Sequence, residues 1–383
     1  MANDQIQSGT AGRFGILRQS AFNVPQGADS GFFYTAFTDC SFGPVEAQGS
    51  LPPEAGNTKA LPRGVFKAGV HAEGGLDFIP RLDNRFGYWL DAVCGDASVN
   101  AATTIANDIL GVVGGDDAQV NTHLFGFVDG NDFDLPYLTG HRWLPHDTAA
   151  SSVGEIIQDI RVAQFVLNVP AAAPVTASMQ MLGRCSGTTI WDINPAWSQP
   201  TLDDDDTFMV TSCAGSVKLS VAGGSPATTT AFDVANVRLT WTNVLLPPGQ
   251  TRRVGSPHPK DYPVLSRVIA VETVLYMEDY DMYIQTFGGA ANPVVDTGWS
   301  CTPVAGDFDM TLLSPAVIGT TTDYHQLRIL TQGGNMRWLA RPIRIRPNQP
   351  VMLALTGTVI PASSAYRDIY VYLQNGQAAD YHP

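Results

Sequence analysis

The chain is short of charge. Asp, Glu, Lys and Arg make up 15% of its 383 residues, against about 25% in an ordinary soluble domain. Lysine is scarcer still: of 22 basic residues only Lys59, Lys67, Lys218 and Lys260 are Lys, and the rest are Arg. Against 36 acidic residues this leaves a formal net charge of -14. Proteins that grip nucleic acid need clustered cations to displace counterions from phosphates, so whole-chain acidity argues against such binding. No run of about 18 apolar residues occurs, which excludes a membrane-spanning helix. No charged segment followed by an apolar one opens the sequence, so secretion is not expected. The five cysteines (Cys40, Cys94, Cys185, Cys213, Cys301) are far apart and form no Cys-x-x-Cys pair. That pattern fits neither a disulfide framework nor a zinc site, and fits synthesis in a reducing cytoplasm.

Chemistry is also missing. The phosphate-cradling, dinucleotide-binding, nucleophile-elbow and zinc-helix motifs are all absent. His141 and His146 are close in sequence, but a metal needs a third ligand and Asp147 is the only local one. Asp129–Asp134 resembles a calcium loop in composition only, because Phe133 stands where the next alternating oxygen belongs. Asp203–Asp206 reads as a solvated acidic loop. The seven tryptophans are scattered rather than arranged as a stacking platform. No enzyme activity, cofactor or metal is expected.

What is present is strand. Ile156–Val169 is rich in β-branched and aromatic residues and is stopped by Pro170. In Asp233–Leu245, Val237, Leu239 and Trp241 alternate with Arg238, Thr240 and Thr242, so one face is buried and the other is not. Met179–Leu182, Val217–Val221, Val268–Tyr276, Gln326–Leu330, Arg341–Arg346, Val351–Thr358 and Asp368–Gln374 extend the pattern. Arg341–Arg346 predicts a strand whose cationic face, Arg344 and Arg346, meets acidic neighbours at an interface. Two short helices are expected. Phe86, Trp89, Leu90 and Val93 fall at helical spacing between Asp83-Asn84 and Gly95. Glu278–Phe287 is acidic in its first turn and closed by Gly288-Gly289. A faint echo relates Asp159–Leu167 to Asp233–Trp241, weak by itself as a sign of duplication. The fold class is all-β with minor helix. Linkers are expected at Ser186–Asp206 and Pro247–Pro263, and the Gly- and Pro-rich first 60 residues read as an arm or long loop.

The stretch Leu61–Gly95 (LPRGVFKAGVHAEGGLDFIPRLDNRFGYWLDAVCG) resembles the opening of tail tube proteins of long-tailed, siphovirus-type bacteriophages, with Gly74-Gly75-Leu76-Asp77, Arg81 and a short helix ending in Gly. Val234–Gly249, with Asn243, is similar to that family's entry into a second tube domain. Val268–Gly289 is similar to the long strand and acidic helix that follow. The resemblance implies an arm at 1–60 and two tandem tube β-sandwich domains, each with a short flanking helix, at 61–230 and 231–383. It implies trimeric rings of pseudo-six-fold symmetry stacked into a tube, lodged in the virion tail and assembled in the host cytoplasm. Double-stranded DNA would pass through without specific binding, and the tape-measure, terminator and distal tail proteins would meet the tube's ends. An acidic lumen wall is expected, with Asp159 and Glu272 facing it because each places a carboxylate within a strong strand; the alternative is that they pair with arginines such as Arg161 or Arg267 at a subunit contact. The alternatives are another virion or appendage β-sandwich (decoration or baseplate) and a carbohydrate-binding β-sandwich.

Overall fold

The computed structural model describes residues 12–27, 31–52, 64–83, 85–100, 119–127, 135–144, 153–185, 191–192, 207–209, 215–221, 233–277, 283–284, 286, 303–343, 345–361, 368–378 and 381. Among these the chain is nearly all antiparallel strand with one helix, the all-β class with minor helix that the sequence predicts.

A long sheet runs through the molecule in two matching quartets. The first holds β4 (Gly43–Ser50), β5 (Val65–Phe78), β10 (Thr176–Arg184) and β9 (Val153–Pro170), paired in that order. The second holds β13 (Val234–Leu245), β14 (Val264–Tyr276), β18 (Met352–Val359) and β17 (Met336–Ala340), again in that order. Each quartet is two hairpins joined through their second strands. β9 pairs with β13 and fuses the two, with Leu239 opposite Leu167 and Trp241 opposite Phe165. The sequence echo between these segments therefore has a local cause: they are adjacent strands burying the same face. The repeat itself lies in the pairing order.

Two smaller sheets flank this one. β2 (Phe33–Thr35), β1 (Arg13–Arg18) and β8 (Leu138–Leu144) pair in series onto the first half of β9, which β11 (Trp191–Asp192) also joins. On the other side, β15 (Val304–Val317) carries β12 (Gly215–Val221) and β16 (Tyr324–Leu330), and touches β17 through Val304–Gly306. Beyond β16 follow β19 (Tyr370–Asn375), β7 (Asn121–Phe127) and β6 (Gly95–Asn100). A two-residue strand, β3 (Asp39–Cys40), lies against β5. Residues 13–50 thus contribute four strands to these sheets.

Burial follows the alternation. Along β13, Val237, Leu239, Trp241, Asn243 and Leu245 are buried, while Asn236, Arg238, Thr240 and Thr242 face the other way and stay wholly or partly open. The covered face packs on the helix α1 (Phe86–Cys94), where Phe86, Trp89, Leu90 and Val93 are buried, each contributing about 1.5–3 kcal/mol. Asp83 accepts a hydrogen bond from the Arg85 N–H ahead of the helix (3.0 Å). Gly95 ends it in the left-handed conformation, φ 91°, its N–H bonded to the Asp91 carbonyl. Asn243 ties helix to sheet, its Nδ2 donating to the carbonyls of Val93 (3.2 Å) and Val162 (3.1 Å). Of the second expected helix only Tyr283, Ile284 and Thr286 are among the described residues, and these are helical.

The strand expected at Arg341–Arg346 is not formed. Arg341 still donates its N–H to the Ala354 carbonyl, but Pro342 has no N–H to continue the ladder. The chain then crosses to β18 through a connection turning at Asn348, φ 59°.

Candidate functional site

The long sheet has one face with no covering layer among the described residues. From β5 to β17 it presents mainly polar side chains, Gln164 and Asn168, Ser178 and Gln180, Thr240 and Thr242, Thr356 and Thr358, with Val166, Val268 and Leu339 among them. Asp77, Gln164, Val166, Asn168, Thr176, Ser178 and Arg238 together line a shallow depression on this face, across β5, β10, β9 and β13. Among the described residues its charged groups include four carboxylates, Asp39, Glu73, Asp77 and Glu272, and three guanidinium groups, Arg238, Arg337 and Arg341. The chain's net charge of -14 is therefore not concentrated on this face.

Glu272 lies on this face, directly opposite Arg238 in the β13–β14 register and 3.0 Å from Arg341. Both members of the Glu272–Arg341 pair are exposed, 44% and 62%, so their attraction is screened and contributes little to stability. What the pair does is cancel charge on the open face.

Asp159 is elsewhere. It is 1% exposed and sits at φ 51°, where β9 passes from the flanking sheet of β8 into the long sheet of β10 and β13. Its Oδ2 is 2.7 Å from Arg184 Nη1, and its Oδ1 accepts the Asn23 N–H at 2.7 Å. Burial pushes its carboxyl up, while the Asn23 N–H and Arg184 pull it down. The expectation that Asp159 faces a lumen is corrected: its charge is spent inside the chain, stabilising a bend that a uniform strand would not make. Arg184 also lies over the Phe22 ring (4.9 Å). Next to it, Arg161 is fully buried, donates to the Tyr262 carbonyl (2.8 Å) and lies over Tyr137 (4.2 Å). Residues 247–263, a linker by composition, thus press a tyrosine into the core, where Tyr262 donates to the Gly183 carbonyl (2.9 Å).

Two edges of the long sheet carry no further strand among the described residues: the outer side of β4, and the end of β17 beyond Trp338. Apolar side chains stand exposed near both. Val65, Phe66 and Leu51 are 70%, 51% and 49% exposed at the far end of the β4–β5 hairpin, and Leu339 and Ile345 are 58% and 78% exposed at β17 and just past it. Arg346 is exposed in the same connection, and Arg344 lies outside the described residues. No sequence signal marked these edges, because edge status depends on pairing and not on composition.

Among the described residues no three His, Cys, Asp or Glu side chains are grouped to hold a metal. His141 is buried and its Nδ1 shares a 2.6 Å hydrogen bond with the Tyr34 hydroxyl. Burial lowers its pKa to about 4 and raises that of Tyr34 to about 12. His146, Asp129–Asp134 and Asp203–Asp206 lie outside the described residues. Among the described residues no helix is long and apolar enough to cross a membrane.

A search of curated proteins returns no match to the chain. The model of one family, described as phage tail tube protein, matches residues 9–359. With that match spanning nearly the whole chain, on an all-β scaffold with one open sheet face, this protein belongs to the phage tail tube protein family and is a structural component of the virion tail.

Proposed function

We propose that copies of this chain close into rings, that rings stack into the tail tube of a siphovirus-type phage, and that the open face of the long sheet lines the channel through which the genome is ejected. The observation that carries this reading is the sheet itself: two like quartets side by side, one face packed on helix and flanking sheets, the other mainly polar and without a covering layer among the described residues. A chain with two such units, one built on domain 61–230 together with β4 from the preceding 1–60 segment and one within 231–383, makes a ring of six units from three copies. A contact that joins unlike surfaces closes as a ring within one layer and repeats without end between layers.

The channel wall on this reading is nearly neutral rather than acidic, which replaces the expectation drawn from whole-chain charge. Duplex DNA carries one negative charge per about 1.7 Å, so a cationic wall would retain it. Short Thr, Ser, Asn and Gln side chains, with arginines matched by carboxylates, offer no continuous cationic track. DNA then passes without specific binding. Arg344 and Arg346 are assigned to a subunit contact, and the 247–263 loop to contacts between rings; of residues 2–20, first expected to bridge rings, β1 belongs instead to the chain's own flanking sheet. The tube's ends meet the tape-measure, terminator and distal tail proteins. The protein has no catalytic role in this reading.

Analytical ultracentrifugation with electron microscopy at high concentration tests the assignment. Trimers and tubes of regular axial repeat are expected, and the polar face should line the bore. A strictly monomeric protein, or a bore lined by the opposite side of the chain, refutes it.

A further inference from the structure

We infer that residues 252–260 form a cationic rim at one end of the open face and touch the phosphates of duplex DNA. This rests on the reading of that face as the channel wall, and assigns a DNA contact that the wall itself does not supply. Residues 247–260 (PPGQTRRVGSPHPK) hold Arg252, Arg253, His258 and Lys260 and no acidic residue, in a chain with 36 acidic and 22 basic ones. The pairing of β10 with β5 ends at Gly183, opposite Ala72. Past that point the loop takes the place of β10: the Pro257 carbonyl accepts the Val70 N–H at 2.9 Å, and Arg252 pairs with Pro259 across the loop. Side chains alternate along a strand, so Gly69 shares the side of β5 that holds Glu73 and Asp77. A Cβ on Gly69 would meet the Arg252 guanidinium carbon at 2.5 Å and the Pro257 carbonyl oxygen at 2.7 Å. The loop therefore lies on the open-face side of the sheet.

The cations of the loop are unmatched. Carboxylates around it are engaged by other groups: Glu73 lies 3.1 Å from His71 and Glu46 pairs with Lys67. Asp261 accepts the Tyr137 hydroxyl at 3.1 Å and lies 4.0 Å from Arg161. Arg252 donates to the Ala68 carbonyl at 3.1 Å, which fixes the loop and neutralises no charge. Among the described residues Arg252, Arg253 and Lys260 pair with no carboxylate, and Arg253 and Lys260 are exposed. Phosphodiesters are the anions that a DNA channel brings past this rim, and guanidinium and ammonium groups bind them whatever the base sequence. A contact that reads no sequence lets the duplex slide, so the rim touches DNA in transit without arresting it. Val254, at the tip of the same loop, is fully exposed and remains for the ring contact.

The test is binding of a short fluorescein-labelled duplex to the unassembled chain, read by anisotropy across a salt series. With three phosphate contacts the binding constant should fall about 40-fold between about 50 and 200 mM salt. The double variant Arg253→Gln/Lys260→Gln keeps one contact and should fall only about 3- to 4-fold over the same range. Arg13→Gln/Lys218→Gln removes as much charge from the flanking strands β1 and β12, and should keep the parental salt dependence. No binding by the parent, or equal salt dependence in parent and loop variant, overturns the inference. So does an equal loss in the flanking-strand variant, which would make net charge the cause. Tighter binding of polyglutamate than of duplex overturns the assignment to DNA. If the double variant fails to melt cooperatively, Lys260→Gln alone replaces it and should fall about 12-fold. A parent that binds duplex but never leaves the monomer at high concentration overturns the ring reading and not this contact.

Discussion

Asp159→Ala should remove about 4–7 kcal/mol of stability. The larger part comes from Arg184, which is left buried without its carboxylate, and breaking a buried pair from one side costs about 3–5 kcal/mol. The smaller part comes from the backbone: φ is 51° at this position, and a residue other than Gly, Asn or Asp held there costs about 1–2 kcal/mol. Asp159→Asn separates the two. Asn tolerates the left-handed conformation and keeps an oxygen for the Asn23 N–H, which lies 2.7 Å from the carboxylate, so only the charge is lost and about 2–3 kcal/mol should go. Arg184→Met removes the opposite partner. The double variant Asp159→Asn/Arg184→Met contains no unpaired charge, so it should be more stable than the sum of its singles by about 2 kcal/mol. Urea denaturation followed by circular dichroism measures all four proteins. An Asp159→Ala variant within about 1 kcal/mol of the parent, or strictly additive singles, would show that the bend in β9 is held by packing and not by this pair.

Three further outcomes are expected. The His141 pKa is lowered to about 4, so the folded state takes up its proton later than the unfolded state and stability falls as pH drops from about 6.5 toward 4; by pH 4.5 this group alone should cost about 2 kcal/mol relative to pH 7, seen as the difference between the pH slopes of parent and His141→Gln melting curves. At Gly87 on α1 a Cβ would lie 2.1 Å from the Tyr381 ring, which is fully buried, so Gly87→Ala should cost about 1–3 kcal/mol and be relieved by Tyr381→Leu; an unchanged melting temperature counts against this packing. Glu272→Lys sets a third cation between Arg238 and Arg341, and should leave assembly intact while slowing DNA ejection, more so at low salt; ejection at the parental rate would mean that this face does not line the channel.

The strands that the sequence reveals are those whose residues declare a buried face. β9, β13, β14 and β19 are dense in Val, Ile, Leu and aromatics, and their bounds lie within a few residues of expectation. β5 went unmarked because its fourteen residues include Gly69, Gly74, Gly75 and four exposed residues at its start, which blur the period of two. Gly75 lies close against Gln180 and the Met179 carbonyl, where a Cβ would be crowded, so its small size serves close strand packing, information that appears only when both strands are in place. Asp159 misled for a related reason. Alternation alone gives it a face, but the left-handed backbone and the Arg184 partner, 25 residues away in sequence, decide where the carboxylate goes. The candidate site was half legible. Glu272 was identified from its strand, whereas the bare edges and the balance of charge on the open face arise from the order in which strands pair.

The eighteen residues of β9 belong to two sheets without a break in the chain. Hydrogen-bonded ladders slide or peel when strands are pulled apart, whereas a peptide backbone stretches very little before it fails. A load applied to the long sheet along β9 therefore crosses into the flanking sheet through the covalent backbone of β9 and reaches β8 and β1 through their ladders, with the salt-bridged residue Asp159 at the crossing. The two layers bend as a single girder, and the element that joins them is the one least able to yield.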